Sequence, residues 1–477
     1  MTHPKTTIEV LPDADARPLP SFGQAAVCFA GILLLIGGGL FMFQISLHAL
    51  IFLVLVWAGL HTYALGYSFT AIRSMMDEGI IRALPAIYIF MLIGMVIASF
   101  MQSGTIASLL YAGLNWLDPA LFLATGFILC SLMSVATGTS WGTVGTIGVV
   151  LIGIGDTMGV SLPLVAGMIV SGATFGDKLS PVSDTTNLAA MSAGTNLYRH
   201  IGSMLYTTLP TFILVLVIFF LWGQQYGNHP LPQAQLIEIR NALAGAYQMN
   251  SAITLSPLLV MLGMSMKRYS AESSMTCSIL LAMLIAVLYQ DRNPVEVINA
   301  LWQNTPGHTG IAHIDELLGR GGLYSMAWTL LLSIMALALG GMLHHAGFLQ
   351  VLLRRLIASI NRTSTLIAAT ITSGLAGNLV MGEAYISIIL NCQLFKQTYR
   401  EKDLDPAVLS RSVEEGSTLT TGLIPWTTAG VFYAATLGVP TLDYAAYALL
   451  NVLNPLVSII MAMLGIGLLR SRHSSRQ

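Results

Sequence analysis

Two polar interruptions of an apolar chain hold the residues best suited to bind an ion. The first runs from Gly138-Thr139-Ser140-Trp141-Gly142-Thr143 to Asp177-Lys178-Leu179-Ser180-Pro181-Val182-Ser183-Asp184-Thr185-Thr186-Asn187. The second runs from Gly382-Glu383-Ala384-Tyr385-Ile386-Ser387 to Gly422-Leu423-Ile424-Pro425-Trp426-Thr427-Thr428. Hydroxyls, carboxylates and helix breakers are costly in such surroundings unless they line a site. Hydroxyl oxygens and the carbonyls of an unwound turn suit a dehydrated alkali cation, which is a hard ion.

In the first interruption, Thr139, Ser140 and Thr143 stand among Gly138, Gly142 and Gly145, where the backbone can unwind. Close packing of small residues is the plainer explanation of those glycines. Pro181 should interrupt a helix between Asp177 and Asp184. Asp184 has Ser183, Thr185, Thr186 and Asn187 beside it, one carboxylate among four neutral oxygen donors, which points to sodium held by Asp184 and Thr185. A charge within the bilayer costs about 2.5–3.5 kcal/mol, which argues against a decorative role. Asp184 could instead cap a helix in an aqueous loop, and Asp177 could simply pair with Lys178.

In the second interruption, Glu383 follows Asn378 and Gly382. Glu414 and Glu415 are adjacent, so on a helix they point about 100° apart, and Arg411 is placed to pair with Glu414 one turn away. Thr427 and Thr428 echo Thr185 and Thr186. That pairing sets Asp184 against Trp426, while matching Gly382-Glu383 to Gly138-Thr139 sets Glu383 against Thr139. A carboxylate that binds either a proton or a cation is the simplest exchange device, and Asp184, Glu383 and Glu414 are the candidates.

The elements that must position these residues are membrane helices. The 477 residues are 55% hydrophobic and 9% charged, with mean hydropathy +0.74. A soluble domain averages about 25% charged residues. The net charge of −1 excludes the basic face expected of a nucleic-acid partner. The lipid bilayer is the partner instead. Apolar stretches at 23–43, 45–65, 85–102, 119–137, 200–222, 252–266, 272–289, 324–343, 362–380 and 444–469 are predicted spans. Stretches 142–196 and 382–436 read as broken helices or re-entrant hairpins. The fold class expected is an all-α polytopic membrane protein of about 10–13 membrane segments. Short surface helices are expected at 234–246 and at 347–360, the latter with Arg354 and Arg355 facing away from an apolar stripe.

The order of spans and breaks in residues 23–222 recurs in 252–469, with a connector at 223–251 and tails at 1–22 and 470–477. Lys5, Arg17, Arg73 and Arg82 in the first half, and Lys267, Arg268, Arg354, Arg355, Arg362, Arg470, Arg472 and Arg476 in the second, can all lie inside if each half begins on the opposite side. The two repeats are then inverted, and both termini are cytoplasmic. Lys396, Arg400 and Lys402 count against that scheme. No basic stretch with a cleavage site precedes the first span, so no leader is expected to be removed.

Cys28, Cys130, Cys277 and Cys392 are scattered and lack metal-ligand spacing. His344-His345, His48, His61 and His200 read as residues at span ends. No nucleophile with an assigned base and no zinc motif is present, so a secondary transporter is expected rather than an enzyme.

The residues quoted from Gly138 to Thr143 and from Gly176 to Asn187 resemble the NhaC family of sodium/proton antiporters. Gly382-Glu383-Ala384-Tyr385, Ser410 to Ser417 and Leu423 to Thr428 are similar to further segments of that family. Glu383, Ala384, Glu415 and Thr427 depart from the usual residues. The resemblance implies inverted repeats, discontinuous helices, the cytoplasmic (inner) membrane and often dimeric assembly, so a homodimer is left open. It implies sodium ions and protons as the solutes, sodium being the transported or coupling ion, with no cofactor. Some relatives exchange small organic acids such as malate and lactate, so a sodium-coupled organic anion or amino acid is the alternative; helix N-termini at the breaks, or Arg199 and Arg411, would be donors for its carboxylate.

Overall fold

The computed structural model describes residues 19–470 apart from 83, 117, 182, 228–232, 268, 312–313, 316–317 and 358–361. Most of both expected tails, Arg268, and the side chains of Arg82, Arg354 and Arg355 lie outside the described residues. The chain is helical, and an isolated bridge between Leu404 and Arg470 is the β-pairing among the described residues.

The first half comprises α1 (Phe22–Phe41), α2 (Leu47–Ala64), α3 (Phe69–Arg82), α4 (Leu84–Gln102), α5 (Thr105–Trp116), α6 (Phe122–Thr137), α7 (Ser140–Thr143), a π turn (Val144–Gly148), α8 (Val149–Thr157), α9 (Leu162–Leu179), α10 (Asp184–Ala193) and α11 (Leu197–Gly227). After α12 (Gln233–Ala246), the second half comprises α13 (Ser251–Thr254), α14 (Ser256–Met266), α15 (Ala271–Leu288), α16 (Pro294–Trp302), α17 (Leu323–His345), α18 (Phe348–Ile357), α19 (Thr363–Met381), α20 (Ala384–Glu401), α21 (Pro406–Thr421), α22 (Thr428–Leu437), α23 (Thr441–Tyr444) and α24 (Leu449–Met463).

Among the described residues, five helices are long and apolar enough to cross a membrane: Phe22–Leu40, Leu47–Ala64, Leu197–Gly227, Leu323–His345 and Thr363–Met381. Two bent pairs add to these, Ile87–Gln102 with Thr105–Ala112 at 69°, and Thr441–Tyr447 with Leu449–Met463 at 52°. Phe122–Thr137, Ser251–Met264, Glu272–Leu288 and Thr428–Leu437 are apolar but shorter. Exposed apolar side chains such as Leu34, Phe52, Ile213 and Leu221 cover the outer helices. Water would penalise so broad an apolar surface, whereas lipid would not. The chain is therefore a multi-pass membrane protein.

The two polar interruptions fold alike. α6 ends at Gly138 (φ 72°, ψ 21°), and Thr139 is extended before α7. α19 ends at Gly382 (φ 66°, ψ 5°), and Glu383 is extended before α20. A left-handed residue costs a Cβ-bearing side chain about 1–2 kcal/mol, which glycine avoids. Gly382 lies 244 positions after Gly138, and the same spacing separates the starts of α9 and α21 and of α10 and α22. Ser183 and Thr427 cap α10 and α22 with their hydroxyls. This register sets Asp184 against Thr428, two residues from the pairing suggested by the doubled threonines. Packing repeats as well. A Cβ at Gly172 on α9 would stand 2.6 Å from Cys130 Cβ on α6, and one at Gly416 on α21 would stand 2.3 Å from the Ile371 carbonyl oxygen on α19. Glycine at these positions lets both helix pairs approach closely.

Candidate functional site

The two breaks meet in one cavity of about 340 Å³. The first half lines it with Gly138, Thr139, Ser140, Trp141, Asp177, Asp184 and Thr185. The second half contributes Glu383, Tyr385, Thr418, Thr421, Thr428 and Tyr433. The turn between α14 and α15 completes the wall with Tyr269 and Ser270, and the first turn of α15 adds Ser274.

Three carboxylates face this space in different surroundings. Asp184 is exposed, as are Tyr269 and Ser270, which marks the mouth. Asp177 is buried near the end of α9, and each of its oxygens accepts a hydroxyl: Oδ2 from Ser140 at 2.7 Å and Oδ1 from Ser183 at 2.5 Å. Glu383 is buried at the start of α20, where Oε2 accepts from Thr428 at 2.6 Å and Oε1 from the Tyr385 amide at 3.4 Å. Hydrogen bonds to an ionised acceptor are roughly twice as strong as neutral ones, so both carboxylates are held in fixed orientations. Trp141 is braced between Phe90 and Phe432, with ring centroids 4.8 and 4.9 Å away.

The other candidates are placed around the cavity rather than on it. Thr143 bonds back to the Thr139 carbonyl, and Thr139 itself caps α7 through the Gly142 amide. Asn187 donates to the Pro181 and Ser183 carbonyls and so ties down the break. Thr186 turns toward the Asp177 and Lys178 carbonyls and Glu414. Asn378 donates to the Ser417 carbonyl and Thr420, joining α19 to α21. Thr427 donates to the Thr421 and Ile424 carbonyls and caps α22.

Glu414 faces a different polar interior. It contacts His200 on α11 rather than Arg411, whose guanidinium donates to the Ser203 and Gly467 carbonyls. Asp177 does not use Lys178, whose buried Nζ has no hydrogen-bond partner among the described residues. His200 is fully buried, which corrects its reading as an interfacial residue. Tyr269, Ser270, Tyr433 and Thr421 carry no spacing signal, because they come from elements distant in sequence. Trp141 and Tyr385 do carry one, since each stands two residues after its break.

Among the cavity's lining residues there is no Lys, Arg or His. Three carboxylates with no basic side chain among the lining residues favour a positively charged solute over an anion. The Na+/H+ antiporter family profile matches residues 20–185 and 172–466. The chain belongs to this family. Among its relatives, the Na+/H+ antiporter NhaC of Alkalihalophilus pseudofirmus is 35% identical over 429 residues, covering 90% of this chain and 92% of the relative. The arginine/ornithine antiporter ArcD of Halobacterium salinarum is 32% identical, covering 95% and 94%. The malate-2H+/Na+-lactate antiporter of Bacillus subtilis is 33% identical, covering 81% and 82%. The stretches matched by the family profile include both breaks.

Proposed function

We propose that the protein is a secondary antiporter that exchanges sodium ions for protons across the cytoplasmic membrane, and that Asp177, Asp184 and Glu383 share the cation. The acidic cavity with no basic lining residue carries this reading. Thr139, Ser140, Thr185 and Thr428 supply neutral oxygens around the carboxylates. Sodium needs these carboxylates ionised, so protons compete with it, and a loaded site is the state that crosses. Sodium is the cargo here, and no resident cofactor is required.

An inverted arrangement of the two halves, 23–222 and 252–469, suits this task. Support comes from α24, which starts after Tyr447 beside Gly167 of α9 and is followed by Leu469, whose carbonyl accepts from the Asp405 amide before α21. The helices α9 and α21 therefore enter from opposite ends of α24, and each brings its C-terminal end to the cavity. The mouth at Tyr269 and Ser270 follows Lys267, so the positive-inside rule makes it cytoplasmic, with both termini on that side.

The arginine and lactate relatives favour testing a larger solute. Arg199 pairs with Asp405, and Arg411 is used by backbone carbonyls, so neither lines the cavity as an anion donor. The three carboxylates beside Trp141, Tyr385 and Tyr433 suit an ammonium or guanidinium group better than a carboxylate.

The test is sodium-driven dissipation of a proton gradient in everted vesicles, alongside uptake of labelled arginine and lactate. Sodium dissipates the gradient in the wild type and not in Asp184→Asn. Unchanged exchange in Asp184→Asn removes the site, and arginine uptake without sodium exchange replaces the cargo.

A further inference from the structure

His200 and Glu414, 214 positions apart in sequence, meet in a fully buried contact behind the cavity wall. His200 Nε2 lies 2.7 Å from Glu414 Oε2, and Nδ1 lies 2.7 Å from Ser410 Oγ. Ser410 Oγ is also 3.1 Å from the Ala407 carbonyl oxygen. The one hydroxyl proton of Ser410 thus has two possible acceptors. If it points to Ala407, both ring nitrogens of His200 are free to donate, the arrangement that an imidazolium needs. If it points to Nδ1, the ring is neutral and Nε2 still donates to Glu414. The same positions accommodate the pair with and without one additional proton, and no heavy atom has to move.

We propose that His200 and Glu414 form a buried proton-holding site separate from the cation cavity, and that Thr186 couples the two. This rests on the sodium/proton reading above. The Thr186 hydroxyl lies 3.2 Å from Glu414 Oε1, 3.0 Å from the Asp177 carbonyl and 3.3 Å from the Lys178 carbonyl. It has one proton for three acceptors. With the imidazolium formed, Glu414 is answered by His200, and Thr186 serves the Asp177 and Lys178 carbonyls. When the proton leaves, Glu414 draws the hydroxyl toward itself and releases those carbonyls at the end of α9. Asp177, one of the cavity carboxylates, is held there by Ser183 from the same break.

The charges around the pair make it sensitive to sodium. From α9, Lys178 lies in the field of Glu415, Glu414 and Arg411, and Asp177 feels Glu414. On α21, Arg411 and Glu415 are buried, and Asp405 is answered by Arg199 of α11. From α20, Cys392 faces Glu414, with Lys396 nearby and Tyr399 bonded to Thr370. Asp184 begins α10. The helices α19 and α24, also packed on α21, carry no titratable side chain. Buried Lys178 and Arg411 are thus outnumbered by Asp177, Glu383, Glu414 and Glu415. With all four ionised, bound protons or sodium ions make up the difference, and a proton at His200 or a sodium ion beside Asp177 each supplies part of it.

The experiment measures the apparent KM for sodium from mildly acidic to alkaline pH in proteoliposomes, with sodium-22 binding to the purified protein. In the wild type the KM rises as pH falls, by up to about tenfold per unit for each linked proton. In His200→Gln and Glu414→Gln the profile flattens while sodium still binds at alkaline pH. In Thr186→Val sodium binds but releases fewer protons to a pH-indicator dye. A folded His200→Gln variant with the wild-type profile overturns the proposal and leaves the cavity reading standing, whereas unchanged sodium binding in Asp184→Asn removes the cavity reading first. Should the variants not fold, the sodium-induced infrared difference spectrum of the wild type decides: a histidine ring band is expected, and its absence overturns the proposal.

Discussion

The Thr428 hydroxyl donates to Glu383 across 2.6 Å, while the residues at the matching places of the first half, Asp184 and Thr139, share no hydrogen bond among the described residues. The Thr428 amide also donates to the Gly382 carbonyl, at 2.9 Å. The second break is therefore laced shut, and the first lies open around the cavity. Both breaks set a hydroxyl against a carboxylate with the roles exchanged, but the Thr139 hydroxyl caps α7 by accepting from the Gly142 amide and is not turned to Asp184.

Removing the Thr428 hydroxyl should loosen Glu383 without opening a void. Thr428→Val leaves a buried carboxylate one donor short, which costs about 1–3 kcal/mol. The expected result is a lower melting temperature in detergent and weaker sodium binding, read by thermal shift with and without sodium.

Neutralising Glu383 should affect transport more than folding. Glu383→Gln keeps an oxygen for Thr428 but removes a charge from the site. A lost charged hydrogen bond is worth about 1.5–3 kcal/mol, so sodium affinity should fall by roughly tenfold or more. Sodium-22 binding to monodisperse protein measures this, and wild-type affinity would show that Glu383 does not touch the ion.

Close helix contact at Gly416 predicts a stability defect. A Cβ there meets backbone, which cannot swing away as a side chain can. Gly416→Ala should cost about 1–3 kcal/mol, the range for overpacking. The loss should appear in thermal stability, with the pH profile of the surviving protein unchanged.

Asn451 offers a separate test. Its Nδ2 donates to the Leu419 carbonyl at 2.8 Å, and its Oδ1 accepts from Thr174 at 3.0 Å. Asn451→Leu breaks both contacts. Each net hydrogen bond is worth about 0.5–1.5 kcal/mol, so a melting shift of a few degrees is expected, together with slower turnover.

The breaks were legible because they depend on local chemistry. Glycine followed by a hydroxyl or carboxylate both stops one helix and caps the next, so Gly138-Thr139 and Gly382-Glu383 mark their own positions. The long spans were legible for the same reason, since apolar length is a local property. Register between the halves was less so: the doubled threonines suggested one pairing, whereas the caps Ser183 and Thr427 fix another. Side-chain direction was not legible where a helix turns neighbouring residues apart. Thr185 lines the cavity while Thr186 points toward Glu414. The His200–Glu414 contact and the Tyr269–Ser270 wall join segments far apart in sequence, and no periodicity records such meetings.

Asn451 also has a mechanical consequence. By clasping Thr174 on α9 and the Leu419 carbonyl on α21, it pins together the two rods that carry Asp177 and Thr421 to the cavity. Sliding one rod along the other would break both contacts, so in the proposed exchange a stroke that carries the two rods together keeps them, with the bend before α24 lying next to that pair.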